Sequence, residues 1–294
     1  MRRIVASFEH RAGGAGGARR WWERATAALD GTGSRPKPAA RAVLANALAL
    51  VHFPERGDVD DLAVLVEEHG RHEVAELQEA VLGAVDGRDR PLTTRLVRVL
   101  AGYAWARPGA PLPADGRAGL AQVAGEAVVR LLMVGDATGE RPAITGTGDL
   151  LAVFERQGIR VWRALVAATV DDPWTGSAER HLELLDPDAQ PFEVASIRAV
   201  LDLSRREAEQ DERRAVAAHI RSTIDQTGLT QREFAALVGT SPSRLSTYVT
   251  GAVTPSAAML LRINRAARRA QPAVDPQSEE PEQPEQPEQP EPSV

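Results

Sequence analysis

From Arg20 onward, apolar residues recur almost throughout at the three-and-four spacing of amphipathic helices. Trp21, Trp22, Ala25 and Leu29 make one face, Val43, Leu44, Ala47, Leu48 and Val51 a second, and Val59, Leu62, Leu65 and Val66 a third. Val74, Leu77, Val81, Leu82 and Val85 follow, and Leu92, Leu96, Val99, Leu100 and Tyr103 give the cleanest helical spacing of all. The pattern resumes over Leu120 to Val134, Asp149 to Phe154, and Ile159 to Val170, where Trp162 and Leu165 share a face. Connections are short, which favours antiparallel neighbours in a bundle or an irregular helical stack. The expected fold class is all-α, with the tryptophans as core anchors rather than a ligand cage.

Breaks in the pattern divide the chain. Residues 1–17, glycine-rich around Gly13 to Gly17, read as a flexible arm; they lack the Lys-Ser/Thr ending of a phosphate loop. Residues 18–203 read as a helical domain, in which 107–116 (RPGAPLPADG) either divides two subdomains or forms a long loop within one. From Phe192 to Thr227 there is neither Gly nor Pro, and 204–211 is so charged that it reads as a solvent-bridging helical connector, or as two helices with a hinge. Residues 270–294, with three tandem Pro-Glu-Gln units, read as a disordered tail.

Between connector and tail, residues 212–269 carry helix punctuation at high density. Thr230 and Glu233 stand in capping-box register, and Leu229 and Phe234 flank them as a hydrophobic staple. Phe234, Leu237 and Val238 then repeat at helical spacing until Gly239 supplies a left-handed stop. A second helix must begin almost at once: Ser241 is a good cap, Pro242 suits the first helical position, and Leu245, Tyr248 and Val249 form its apolar face before Gly251. Two helices joined so tightly cross steeply, as in a helix-turn-helix. Val216, Ile220 and Ile224 predict a helix before the pair. After it, Thr254 as cap and Pro255 as first residue open one carrying Leu260, Leu261 and Ile263.

These elements resemble the Cro and phage-repressor type of helix-turn-helix domain. The resemblance rests on the LTQ-x-E-x-A start (Leu229, Thr230, Gln231, Glu233, Ala235), the glycine turn, the Ser-capped second helix, Gly251, and the pair Pro255 and Ser256. It implies a helix 241–250 in a DNA major groove, with Pro242, Ser243 and Thr247 at base-facing places and Gln231 and Ser241 at phosphate contacts. A fifth helix, usual in the family, has no counterpart here. A helical wheel adds that Ser243, Thr247 and Thr250 point away from the core, with Arg244 and Ser246 on the flanks. Arg244 is singled out because a cation in the first helical turn opposes the helix dipole, which an anion or a guanine edge would offset. The expected DNA-binding set is therefore Thr230, Gln231, Ser241, Pro242, Ser243, Arg244, Thr247 and Thr250.

Charge changes the picture only when it is divided. The chain of 294 residues carries a net charge of -6, yet 212–269 holds nine arginines against three carboxylates, whereas 270–294 holds seven carboxylates and no cation. Positive charge thus sits where DNA contact is expected. The absence of cysteine excludes a disulfide framework and thiolate metal sites, and no stretch approaches the length of a membrane span. Gly70 between His69 and His72 predicts a turn, and Asp58, Asp60 and Asp61 read as cap and first-turn anions, so no metal site, cofactor or catalytic constellation is expected.

The chain is therefore expected to be a cytoplasmic, nucleoid-located, sequence-specific transcriptional regulator of double-stranded DNA and not an enzyme. Its amino-terminal region would form a homodimer, through residues 20–210, and sense a small-molecule or protein effector. The alternative is a helical interaction or effector protein, such as a nucleoid-associated or defence component, tethered to DNA by the same domain.

Overall fold

The computed structural model describes residues 1–30, 38–113, 118–135, 137 and 141–270. Among the described residues there are fourteen helices and no strand, so the fold is all-α as expected. The Pro-Glu-Gln tail lies outside the described residues, apart from Ala270. The chain divides into two compact units, Met1–Ala208 and Glu209–Val294.

The first unit is organised around α3 (Pro38–His52), in which every residue from Ala42 to Val51 is buried. The sequence pattern predicts one apolar stripe here. The run is in fact apolar nearly all round, and such a helix can be covered on every side. It packs against α1 (Arg2–Ala12), α2 (Gly16–Asp30), α4 (Arg56–His69), α5 (Arg71–Asp86) and α6 (Pro91–Ala104). Its one polar residue in that run, Asn46, donates from Nδ2 to the Asp58 carbonyl at 2.7 Å. Asp58 in turn accepts from the Glu55 amide at 3.0 Å and pairs with Arg11 at 2.5 Å. The aspartates near 58 thus serve as helix-start and ion-pair groups, Asp61 pairing with Arg3.

Residues 1–17 are not the arm that their glycines predict. Ile4, Phe8 and Ala12 recur every four residues and are buried, with the Phe8 ring 5.2 Å from that of Trp22. This stripe makes α1 part of the core; Gly13 and Gly14 serve the turn into α2, which Gly16 and Gly17 begin.

The remainder of the unit comprises α7 (Ala118–Met133), α8 (Thr147–Arg156), α9 (Ile159–Asp171), α10 (Ser177–Glu183) and the first part of α11 (Pro191–Asp225). Helices α6 and α7, on either side of 107–116, pack against each other within one compact unit. Its described part, 107–113, therefore lies within a domain, and 114–116 are outside the described residues. Trp105 and Trp162 join the core, but Trp174 is 53% exposed beneath the Arg205 guanidinium.

Helix α11 spans the expected connector. The first half of 204–211 is not solvent-bridging. Ser204 is buried, Arg205 donates to the Pro173 carbonyl at 3.2 Å and pairs with Glu179, and Glu207 pairs with Arg130. Long charged side chains lie along the first unit here while their heads find partners, and only 209–215 is exposed throughout.

The second unit closes a small core between the end of α11, α12 (Gln231–Val238), α13 (Pro242–Val249) and α14 (Ala257–Ala270). Ile220, Ile224, Phe234, Val238, Leu245, Tyr248 and Ile263 fill it. Two leucines assigned to this core by their spacing face outward instead: Leu237 is 48% and Leu261 53% exposed. The small Ala235, Ala266 and Ala267 are buried in their stead, because closely crossing short helices leave room for methyl groups but not for isobutyl ones. Helix α14 also starts later than predicted. Ser256 accepts from the Met259 amide at 3.3 Å as its cap, and Pro255 is buried just before it.

Candidate nucleic-acid interface

Both short helices of the second unit are fixed at their ends by the residues that signal them. At the start of α12, the Thr230 hydroxyl accepts from the Glu233 amide at 3.3 Å, and the Glu233 carboxylate accepts from the Thr230 amide at 2.9 Å and its hydroxyl at 2.6 Å. These bonds from Thr230 hold the Glu233 carboxyl below the usual carboxylate range. Leu229 packs on the same core as Phe234, completing the staple.

At the other end, Gly239 adopts φ +76°, the left-handed region where a side chain would clash with the following carbonyl. The Thr240 amide then donates to the Ala235 carbonyl at 3.0 Å and the Gly239 amide to that of Ala236 at 3.2 Å, the paired bonds of a Schellman end. One residue later, Ser241 accepts from the Arg244 amide at 3.2 Å and α13 begins with Pro242. The regular helix spans 242–249, and the predicted ends 241 and 250 are its caps.

Ser243, Thr247 and Thr250 lie at helical spacing on one side of α13, opposite buried Leu245, which is the face the wheel predicts. Ser241, Pro242, Ser243, Arg244 and Thr250 are exposed there, while Thr247 is half-buried. At the start of α12, Thr230 is exposed and Gln231 half-buried.

The hydroxyls carry a directional bias. Thr247 donates to the Arg244 carbonyl at 2.8 Å and Thr250 to that of Ser246 at 3.0 Å, so their protons are held within the helix. What they offer outward is acceptor lone pairs and methyl groups, which suit adenine or cytosine amino groups and thymine methyls. Thr230, engaged with Glu233 in both directions, is an element of the cap first and has little hydrogen-bonding capacity left for a partner.

Arg244 has a feature that the wheel does not show. Its Nε donates to the Tyr248 hydroxyl at 2.8 Å, one turn further along α13, while the Tyr248 residue is only 2% exposed. A ring locked in the core thereby orients an exposed guanidinium and leaves its two terminal nitrogens available for a bidentate contact. Sequence reasoning assigns Tyr248 to the apolar face alone; the Arg-x-x-x-Tyr spacing carries the signal for its second role. Val249, next to it, packs half-buried against the core, and its carbonyl accepts from Arg221 at 2.6 Å.

Among the described residues no group of three or more His, Cys, Asp or Glu side chains is placed to hold a metal. His72 stands by Glu76 at 3.3 Å, and Gly70 separates it from His69 with φ +86°. No helix of the described residues is long and apolar enough to cross a membrane.

A family model described as a helix-turn-helix domain matches residues 199–276. The resemblance read from residues 212–269 is thereby met: this region is a helix-turn-helix domain, and such a domain suggests binding to DNA. No match to the chain is found among curated proteins or solved structures.

Proposed function

We propose that the protein is a sequence-specific transcriptional regulator that inserts α13 into the major groove of double-stranded DNA. The observation that carries this reading is Arg244, presented at the first turn of a capped helix and held by Tyr248 in a region with six more arginines than carboxylates. Arg244 takes a guanine edge, Pro242, Ser243 and Thr247 face bases, and Ser241 and Gln231 face the backbone. The first unit brings two copies together, so that half-sites about 34 to 36 Å apart are read by one dimer. In this reading the protein works in the cytoplasm on the nucleoid and carries no catalysis.

The hydroxyl-rich face of α13 favours a second reading, a DNA-tethered interaction protein, since Ser and Thr discriminate bases poorly. Footprinting of the full chain on genomic fragments separates the two. A few discrete, two-fold symmetric sites are expected of the regulator; diffuse coverage at every concentration would leave the tether. Sedimentation tests the dimer: residues 205–294 alone should be monomeric, and a fragment as dimeric as the full chain would move the contact into the second unit.

A further inference from the structure

The first unit contains an apolar chamber of about 50 Å³ between α6, α7, α8, α9, α10 and α11. Its polar groups are turned inward on the protein itself. Ser196 donates to the Phe192 carbonyl at 2.8 Å, Thr169 and Ser177 hydroxyls stand 3.5 Å apart, and Trp162 Nε1 donates to the Val153 carbonyl. Burial holds the His181 imidazole below its ordinary pKa, so at neutral pH this wall is uncharged. A wall with so few free polar groups favours apolar groups.

Phe154, Trp162 and Phe192 line this chamber and also a cleft of about 360 Å³ that opens to solvent. The three rings are in mutual contact through Phe154, whose centroid is 5.6 Å from Trp162 and 6.2 Å from Phe192. Arg107 covers Phe192 at 4.7 Å and is balanced by Glu155 and Glu193, each at 3.7 Å. Arg98 on the same cleft has a different setting. It donates to the Gln157 carbonyl at 2.8 Å and also lines a neighbouring cleft with Arg95 and Arg156, where Asp89 is the one carboxylate among the lining residues. One wall of rings therefore leads from an apolar chamber to a cationic edge.

We propose that this is a binding site for an amphipathic organic anion, with its alkyl or aryl body on Phe154, Trp162 and Phe192 and its carboxylate at Arg98. The apolar end enters the chamber, which the rings widen by small rotations, and the charged end stays in the wet cleft beside Arg95 and Arg156. Few polar groups at one edge of an apolar pocket fix orientation, as small-molecule sites generally require. The proposal stands independently of DNA binding.

The test is a titration of the full chain without DNA, followed by tryptophan fluorescence, since Trp105 and Trp162 line the chamber. Octanoate, 1-octanol and acetate serve as probes. Octanoate should give a saturable change, octanol a weaker one and acetate none. Arg98→Ala should weaken octanoate about tenfold and leave octanol unchanged, and Arg98→Lys should restore much of the loss. Val166→Phe, which fills the chamber, should abolish both responses. Because Arg98 is exposed, its substitution tests the charge contact without disturbing the core. Equal binding of octanoate and octanol, an Arg98→Ala protein indistinguishable from the parent, or no saturable change with octanoate would each overturn the proposal.

Discussion

The two units differ in where their specification resides. In the first, α3 is buried on every side and the surrounding helices present apolar faces to it, while several helix starts are met by side chains from other positions: Asp86 accepts from the Leu92 and Thr93 amides at α6, and Thr94 accepts from the Ile159 amide at α9, sixty-five residues away. In the second, the core is a handful of side chains, and order at α12 and α13 comes from Thr230, Glu233, Gly239 and Ser241 acting at helix ends. A large core can bring remote side chains to its helix starts, because burial has already selected the helices. A small one has little burial to draw on, so local signals must choose the backbone.

The same substitution in each core tests this most strongly. Leu44→Ala and Leu245→Ala each remove a fully buried side chain and should cost about 2 to 5 kcal/mol. All five tryptophans lie in the first unit, so denaturation followed by their fluorescence should show a lowered midpoint for Leu44→Ala and no change for Leu245→Ala. Loss of amide protection in α12 and α13 should show the reverse. If Leu245→Ala moved the tryptophan transition as far as Leu44→Ala does, the units would not be energetically separate.

Next in size is the contact that the second unit offers its partner. Arg244→Ala should cost about 1 to 3 kcal/mol on a specific site and relax one base pair per half-site. Tyr248→Phe, which removes only the orienting hydroxyl, should cost about 0.5 to 1.5 kcal/mol with the same base preference weakened. Gln231→Ala should weaken all sequences alike and leave the salt slope nearly unchanged, because a neutral side chain releases no counterion. Equal loss on all sequences for Arg244→Ala, with a flatter salt slope, would make it a phosphate clamp.

The turn itself comes third. Gly239→Ala places a side chain at φ +76° and should cost about 1 to 2 kcal/mol, read by hydrogen exchange of α12 and α13 amides. No loss there would mean that the small core, not the turn, dictates the crossing.

The smallest effect is a matter of pH. Glu233 has a depressed folded pKa, so its capping contribution is complete above its unfolded value and is lost as pH falls through the folded one. Protection of the first α12 amides should therefore decline on acidification below the usual carboxylate range, and Glu233→Gln should flatten that decline.

What the sequence makes legible follows the same division. The punctuation of the second unit reads almost residue by residue: Thr230 with Glu233, Gly239, and Ser241 with Pro242 are all where their signals place them. One error there concerns a cap, since Ser256 and not Thr254 starts α14; the others concern size, with Leu237 and Leu261 outside and Ala235 and Ala266 inside, since spacing ranks residues by hydrophobicity and not by the room a crossing leaves. In the first unit the helices are legible but their depth is not. The five-residue stripe read for α3 conceals a helix covered all round, and Ile4, Phe8 and Ala12 are hidden among arginines and glycines. Arg205 and Glu207 look solvated because a sequence does not show the remote carboxylate and guanidinium that receive them. Of the candidate interface, the face of α13 is legible from the wheel, whereas the Arg244 to Tyr248 bond and the inward-held threonine protons require the side-chain geometry.

Helix α11 bears on the order in which the chain acquires structure. Starting an isolated helix is unfavourable, because several residues must be fixed before one hydrogen bond forms, while lengthening an existing one gains a bond for each residue added. Phe192, Val194, Ile197 and Leu201 anchor the beginning of α11 in the first core, and synthesis delivers that core first. Residues 209–225 then extend a helix that has already started, and Ile220 and Ile224 arrive on it as a ready surface. The second unit is thus expected to condense on a seeded template, so that in pulsed hydrogen exchange the amides of 209–225 gain protection before those of α12, α13 and α14.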